Sequence, residues 1–477
     1  MAAVRHALAV PPPRVRDAAF TLSLAVGAAL LGAGLMAVSA LFGEAAPLVA
    51  LAIPLAPILA VAVIARPLVG VIVVIATLPL GSLGVPAGPI TLQASEIAVF
   101  IVAALVILRR LALSETPLPW SPLFAFPLAL LAWTLVALYS AVDETLAVKQ
   151  IAALSGGAVF AAAVLASCTD MRDVRRVLGM LLLVGGTIAL LALSSGGGHF
   201  RSTYGGTVVG GRLEGPFDHP NTLGSFCAIG ATIAVGLASG ARMRRSRVAA
   251  GVALALLLTA LALTLSRGAW IGTAVGFVFL LVTLKEARRM LSVFLIPVAA
   301  FGFIVWSSAP DRPELRIVGE RASAITKRSP YDGRDEIWGE AIREIKDDPI
   351  TGQGPGSFPV ASLRADSETS SVAPPHAHNM LLNWAAENGV PAAVLIVGFA
   401  FALGIATRRA THAALARGDP RDRAVVLTIA AALLTVMAHG IFDYSLGNTV
   451  LHITVWALIG ALLVARREAD RGYGSAR

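Results

Sequence analysis

The chain has 477 residues, of which 56% are hydrophobic and only 14% charged, with a mean hydropathy of +0.77. Soluble domains carry about 25% charged residues, so this composition excludes an ordinary soluble fold and points to a membrane protein. The formal charge of +9 collects in membrane-flanking segments, where it sets orientation and meets anionic lipid; no zinc-spaced cluster, P-loop or RNA-binding signature accompanies it.

The first apolar run, Ala18 to Phe42, follows Arg5, Arg14 and Arg16. It is too long for a signal-peptide core and lacks a clear cleavage site, which predicts an uncleaved first span. A helix needs about 20 apolar residues to cross a bilayer, and about fourteen runs meet that need. They lie near 18–42, 46–65, 67–85, 95–114, 121–141, 147–168, 174–195, 222–240, 247–266, 268–284, 289–307, 380–405, 424–442 and 448–465. Cys168 and Cys227 fall in or beside such runs, as packing residues and not as a disulfide framework. The expected class is an all-α, polytopic integral membrane protein of about 12–14 transmembrane helices.

The gaps between runs alternate in charge. Segments holding Arg109 and Arg110, Arg172 to Arg176, Arg242 to Arg247, Lys285 to Arg289, Arg408 to Arg423, and Arg466 to Arg471 fall at every second gap. All become cytoplasmic together if the N-terminus is cytoplasmic, as positive-inside bias requires. Two longer segments, Ser194 to Asn221 and about Ser308 to His378, then lie outside. The expected organisation is N-terminal transmembrane helices over 1–195, central helices carrying the Arg motifs over 196–307, an extracytoplasmic loop over 308–378, and C-terminal helices with a cytoplasmic tail over 379–477. Within the loop, residues 333–345 place Ile337, Trp338, Ala341, Ile342 and Ile345 at helical spacing, which predicts an amphipathic helix ended by Asp347-Asp348-Pro349. A tight turn follows at Gly352, Gly354, Pro355 and Gly356.

Four motifs on the predicted outer face carry chemistry. Arg212 to Asn221 gathers Arg212, Glu214, Asp218, His219 and Asn221 before a span. A polar turn with Asn221 as N-cap explains part of it but not Arg212, because positive charge is disfavoured on this side. Ser266-Arg267-Gly268-Ala269-Trp270 joins two runs, and Arg267 is the only charge between Arg247 and Lys285. Such a charge either snorkels to headgroups or serves a site. With Arg212 it suggests an anion site, since Arg grips phosphate through planar two-point contacts.

The third motif runs from Pro374 to Gly389. Asn379, Asn383 and Glu387 recur every four residues as one polar stripe, and His378 opens it. His378 reads as a general base or as a structural cap; His376 beside it is a second candidate base. The two histidines suit a metal, yet no third ligand is evident in the sequence. Glu387 either orients a neighbour or pairs with an Arg. Gly389 and Pro391 predict a kink. The fourth motif, His439 to Tyr444, brings Asp443 to an outer turn, where an ordinary interfacial turn is an equal reading.

Together these motifs resemble the O-antigen ligase and polymerase family of bacterial membrane glycosyltransferases. The resemblance rests on Arg212…Gly215-Pro216-Phe217…Pro220-Asn221, Ser266 to Trp270, Gly352-x-Gly354-x-Gly356-x-Phe358, and His378-Asn379…Leu382…Glu387-x-Gly389, in that order. It covers about the second half of the chain. It implies a GT-C-like helical fold and a glycan donor carried on undecaprenyl diphosphate. Transfer to a lipid or glycan hydroxyl would occur at the outer face of the cytoplasmic membrane. Under the resemblance Arg212 and Arg267 meet the diphosphate, His378 is the base, and Glu214, His376, Asn379, Glu387 and Asp443 line the substrate site. Neither metal nor other cofactor is implied. Protein O-glycosylation is the alternative within the family. A lipid-linked-sugar flippase or secondary transporter is the alternative outside it. A transporter would spread ionisable residues over the midplane of several spans, whereas here they crowd one face.

Overall fold

The computed structural model describes residues 57–474 except 81–83, 88–89, 114–118, 196–199, 205–206, 218, 293–333, 365–375 and 417. It divides into two units, Met1–Gly70 and Val71–Arg477. In the first, residues 57–65 are helical. The expected span at 18–42 and most of that at 289–307 lie outside the described residues.

Leu68–Ala76 (α1) and a 3-10 turn over Leu78–Leu80 replace the full span expected at 67–85. Pro79 lacks an N–H and helps end the helix there. A hairpin follows, Gly84–Ala87 (β1) against Ile90–Gln93 (β2), antiparallel with Gly84 opposite Gln93. Then come α2 (Ala94–Ala112), α3 (Ala125–Ala137), α4 (Glu144–Ser167) and α5 (Met171–Ser194). A second antiparallel hairpin, Phe200–Tyr204 (β3) and Thr207–Arg212 (β4), occupies the first outer segment. Three apolar helices follow, α6 (Pro220–Gly240), α7 (Arg244–Leu263) and α8 (Arg267–Thr283). The loop contributes α9 (Arg334–Asp347) and α10 (Phe358–Arg364). Last are α11 (Met380–Ala416), α12 (Pro420–Gly440) and α13 (Thr449–Gly474). Eight of the described helices are long and apolar enough to cross a membrane, and α8 and Leu68–Leu80 are shorter apolar segments. The protein is thus an all-α polytopic membrane protein.

Local chemistry sets the helix starts. Asp143, Asp170 and Asp419 cap α4, α5 and α12 by accepting backbone N–H groups, which relieves the unpaired donors of each first turn. The core is α6, α12 and α13, whose apolar stretches are 83%, 78% and 89% buried, whereas that of α11 is only 17% buried. Small residues let the core helices approach closely. Gly236 and Gly276 sit against Thr428 and Thr435 of α12, and the Thr232 and Thr435 hydroxyls share a hydrogen bond of 3.1 Å.

One end of this bundle is basic. Arg175 pairs with Asp422 at 2.7 Å. Arg423 donates to the Thr283 carbonyl at 2.9 Å, and Arg467 to the carbonyls of Leu165 and Cys168. Arg110 donates to the Ala166 carbonyl at 3.3 Å. Basic segments expected on one side therefore do meet at one end.

The loop docks on α11 through a break in that helix. Gly389 has φ 79°, a left-handed conformation inside α11, and Pro391 follows. The break frees backbone groups, and neighbours take them: Gln353 N–H donates to Ala386 O, Val390 N–H to Pro349 O, and Trp133 Nε1 to Asn388 O. The α9 face differs from the expected one. Ile337, Ala341 and Ile345 pack with Phe358, Ala377, Leu382 and Ala386, but Ile342 is exposed and Glu340 and Glu344 turn inward. Burial, with Glu387 and Asp347 nearby, pushes the Glu344 carboxyl up to about 8.

Candidate active site

The end of the bundle opposite the basic one collects His219, His376, His378 and His439. His219 precedes α6, and its Nδ1 accepts the Asn221 N–H at 3.1 Å. His219, and not Asn221, is therefore the N-cap, because Pro220 occupies the first helical position and puts Asn221 inside the helix. This frees Asn221 for another use: its Oδ1 accepts from Arg212 Nη2 at 2.7 Å. Arg212 is 5% exposed, and its Nε also donates to the Thr264 carbonyl at 2.9 Å. It thereby ties the end of β4 to the start of α6 and to the turn before α8.

Arg267 is the first residue of α8 and is half-buried. A cation at a helix N-terminus opposes the helix dipole, so this end concentrates positive potential. Gly268 beside it leaves room for α12: a Cβ there would lie 2.9 Å from Phe442 Cβ and 3.0 Å from His439 Cδ2. The Arg267 turn thus abuts the 439–444 segment that carries Asp443.

His378 Nδ1 lies 2.8 Å from Asp443 Oδ1, and both side chains are buried. Burial by itself would raise the Asp443 pKa. The charge of His378 and its hydrogen bond, with His376 and His439 behind them, hold the carboxyl well below the usual range. An ionised Asp443 fixes the proton on His378 Nδ1 and leaves Nε2 as the basic nitrogen. His378 has φ 47° and Leu265 φ 51°, the two left-handed non-glycine residues among those described, and they flank this site. The His378 ring lies 4.3 Å from that of His376 and 6.4 Å from that of His219. Burial lowers His219 to about 4 and His376 to about 3, so both are neutral imidazoles.

The remaining expected residues divide. Asn379 caps α11 by accepting from the N–H groups of Leu381 and Leu382, and its amide donates to Ile441 O. Asn383 accepts from Ala377 N–H at 2.9 Å and holds the His378 approach. Among the described residues Glu387 pairs with no Arg; its carboxylate accepts from Gln150 Nε2 of α4 at 2.6 Å. Glu214 is half-buried on the Arg212 turn. From the sequence, His219 and His439 are named within their motifs without a role for either, and Gln150 is passed over. A signal existed for the first two, since each His stands at the end of a span on the face already predicted for Arg267.

Beside the site, across Tyr444 and Met380, lies a mainly apolar cavity of about 390 Å³. Phe100, Leu130, Trp384, Phe399 and Trp456 line it, with Glu387 and Gln150 among its few polar groups.

Residues 252–397 match the family model described as O-antigen ligase. That stretch holds Arg267, the Gly352-x-Gly354-x-Gly356 turn and His378. A comparison with curated proteins gives no match. The family match supports a membrane glycosyltransferase of the ligase or polymerase type as the general class of activity. Over residues 252–397, then, this polytopic all-α membrane protein carries the signature of the O-antigen ligase family.

Proposed function

We propose that the protein transfers a glycan from a polyprenyl-diphosphate donor to a hydroxyl acceptor at the outer face of the cytoplasmic membrane. The observation that carries this reading is the His378–Asp443 hydrogen bond at the bundle end shared with Arg212 and Arg267. Asp443 holds the imidazole with Nε2 presented. Nε2 accepts the proton of the acceptor hydroxyl as its oxygen attacks the anomeric carbon. The bond from that carbon to the diphosphate oxygen breaks, and the electron pair leaves with the diphosphate. Arg267, aided by the α8 N-terminus, receives the growing negative charge, and Arg212 shapes that pocket. The arginines serve where a metal would otherwise neutralise the leaving group. The apolar cavity next to Tyr444 suits the hydrocarbon part of a lipid-linked substrate.

The test is glycan transfer in liposomes with purified lipid-linked donor. A positioned base contributes about 10²–10⁴-fold, so His378→Ala loses turnover by a factor in that range while donor binding survives. Parent-like turnover of His378→Ala excludes this mechanism.

A further inference from the structure

The sequence offers two histidines without a third ligand, but the fold supplies one. His376, His378 and Asp443 each bring one ligand atom, all within 4.8 Å of one another. His376 Nδ1 is 3.7 Å and His378 Nδ1 2.8 Å from Asp443 Oδ1. Four-coordinate zinc binds imidazole nitrogen and carboxylate oxygen at about 2.0–2.2 Å, which places neighbouring ligand atoms about 3.3 Å apart. The two measured separations bracket that value.

The approach also fits. His376 Nδ1 accepts the His378 N–H at a long 3.3 Å, so its lone pair lies on the side of the cluster, and its side chain is 21% exposed, which leaves a way in. Two imidazoles and one carboxylate suit a zinc-class ion and not Mg²⁺, which demands oxygen ligands in an octahedron.

We infer that His376, His378 and Asp443 form a binding site for one Zn²⁺-class ion, and that occupancy inhibits transfer by withdrawing His378 from proton work. The inhibitory half rests on the His378 mechanism above. On binding, the ion takes the lone pair of His378 Nδ1 in place of the proton shared with Asp443 and displaces the weak contact from His378 N–H. That proton passes through solvent to His378 Nε2, so the ring stays neutral and Nε2 has no lone pair left to act as base. Nothing is oxidised or reduced.

The full chain, purified in detergent and stripped with chelator, is titrated with Zn²⁺ by calorimetry and with Co²⁺ by visible absorption. One equivalent is expected to bind, with tetrahedral-type cobalt bands and no competition from Mg²⁺. Loss of an outer-shell partner already weakens metal sites about 10–100-fold, so His376→Ala and Asp443→Asn should each weaken binding by at least that factor. His412→Ala, exposed at the far end of α11, should bind as the parent does. Transfer by the parent should fall in step with zinc occupancy. Absent binding, or binding indifferent to His376→Ala and Asp443→Asn, overturns the site. Binding that both substitutions abolish, without loss of transfer in the parent, keeps the site and overturns His378 as the base.

Discussion

The two ends of the bundle use the same residue type in opposite ways. At the basic end, Arg110, Arg423 and Arg467 donate to carbonyls at the C-terminal ends of α4 and α8. There the helix dipole is negative and the last carbonyls lack partners, so a cation is favourable. At the other end Arg212 does the same for α7, donating to the carbonyl of its C-cap Thr264, but Arg267 opens α8 at its positive pole. Opposing the dipole costs about 0.3–1 kcal/mol per charge at an exposed terminus, so orientation and capping do not explain this placement. The diphosphate proposed above would offset that cost. An Arg that satisfies a helix end is structural, and an Arg that aggravates one is the better candidate for chemistry.

This contrast gives predictions, from all-or-none effects to small ones. The first asks which end faces out. A reporter active only outside the cytoplasm, fused after Gly352 or Asp443, should be active, and fusions after Arg245, Arg289 or Arg417 silent. Activity at Arg417 would invert the assignment and remove the proposed site from the outer face.

The second separates the two kinds of Arg. Loss of one preorganised donor to a developing anion costs about 10²–10³ in turnover, and Arg267→Ala should lose at least that while inserting normally. Arg267→Lys should rescue poorly, because an ammonium lacks the planar two-point contact. Full activity of the Lys variant would leave charge alone as the requirement. Turnover with purified donor, set against the amount of inserted protein, decides.

The third concerns the buried carboxyl of α9. Glu344 titrates at about 8 in the folded protein, above the ordinary carboxyl value of about 4.3. Between those values the folded state binds more protons, so stability declines as pH rises through the window and levels off above it. Glu344→Gln should melt like the parent near the lower value and higher than the parent above pH 8. Equal pH slopes in scanning fluorimetry would show that α9 does not bury this carboxyl.

The smallest effect belongs to the basic end. Arg467→Ala removes hydrogen bonds from a charged group, worth about 1.5–3 kcal/mol of stability, and should leave turnover below the melting temperature within a few-fold of the parent. A collapse of turnover with unchanged melting would erase the distinction between the ends.

Spans, the alternating basic segments and the four motifs are properties of local composition, and the chain order alone exposes them. Ten expected spans coincide with helices from α2 to α13, and the Gly389–Pro391 kink stands where it was expected. Hydropathy and charge bias act residue by residue on transfer to lipid, so they add along the chain and can be read from it. The pairings could not be read that way. Asp443 meets His378 across 65 positions, and Glu387 meets Gln150 across 237. Neither spacing has a period, because each depends on how α11 lies against α12 and α4. The α9 face rotated for the same reason: its partner is the break in α11, whose exposed backbone the loop must satisfy. His219 displaced Asn221 as cap because Pro220 takes the first helical position, and Arg212, brought over by β4, claims the freed amide. The sequence by itself therefore determined ten of the apolar helices, which end is basic and which residues are candidates. Tertiary packing alone decided which candidates touch, since a contact between distant side chains is a property of two surfaces and not of one stretch of chain.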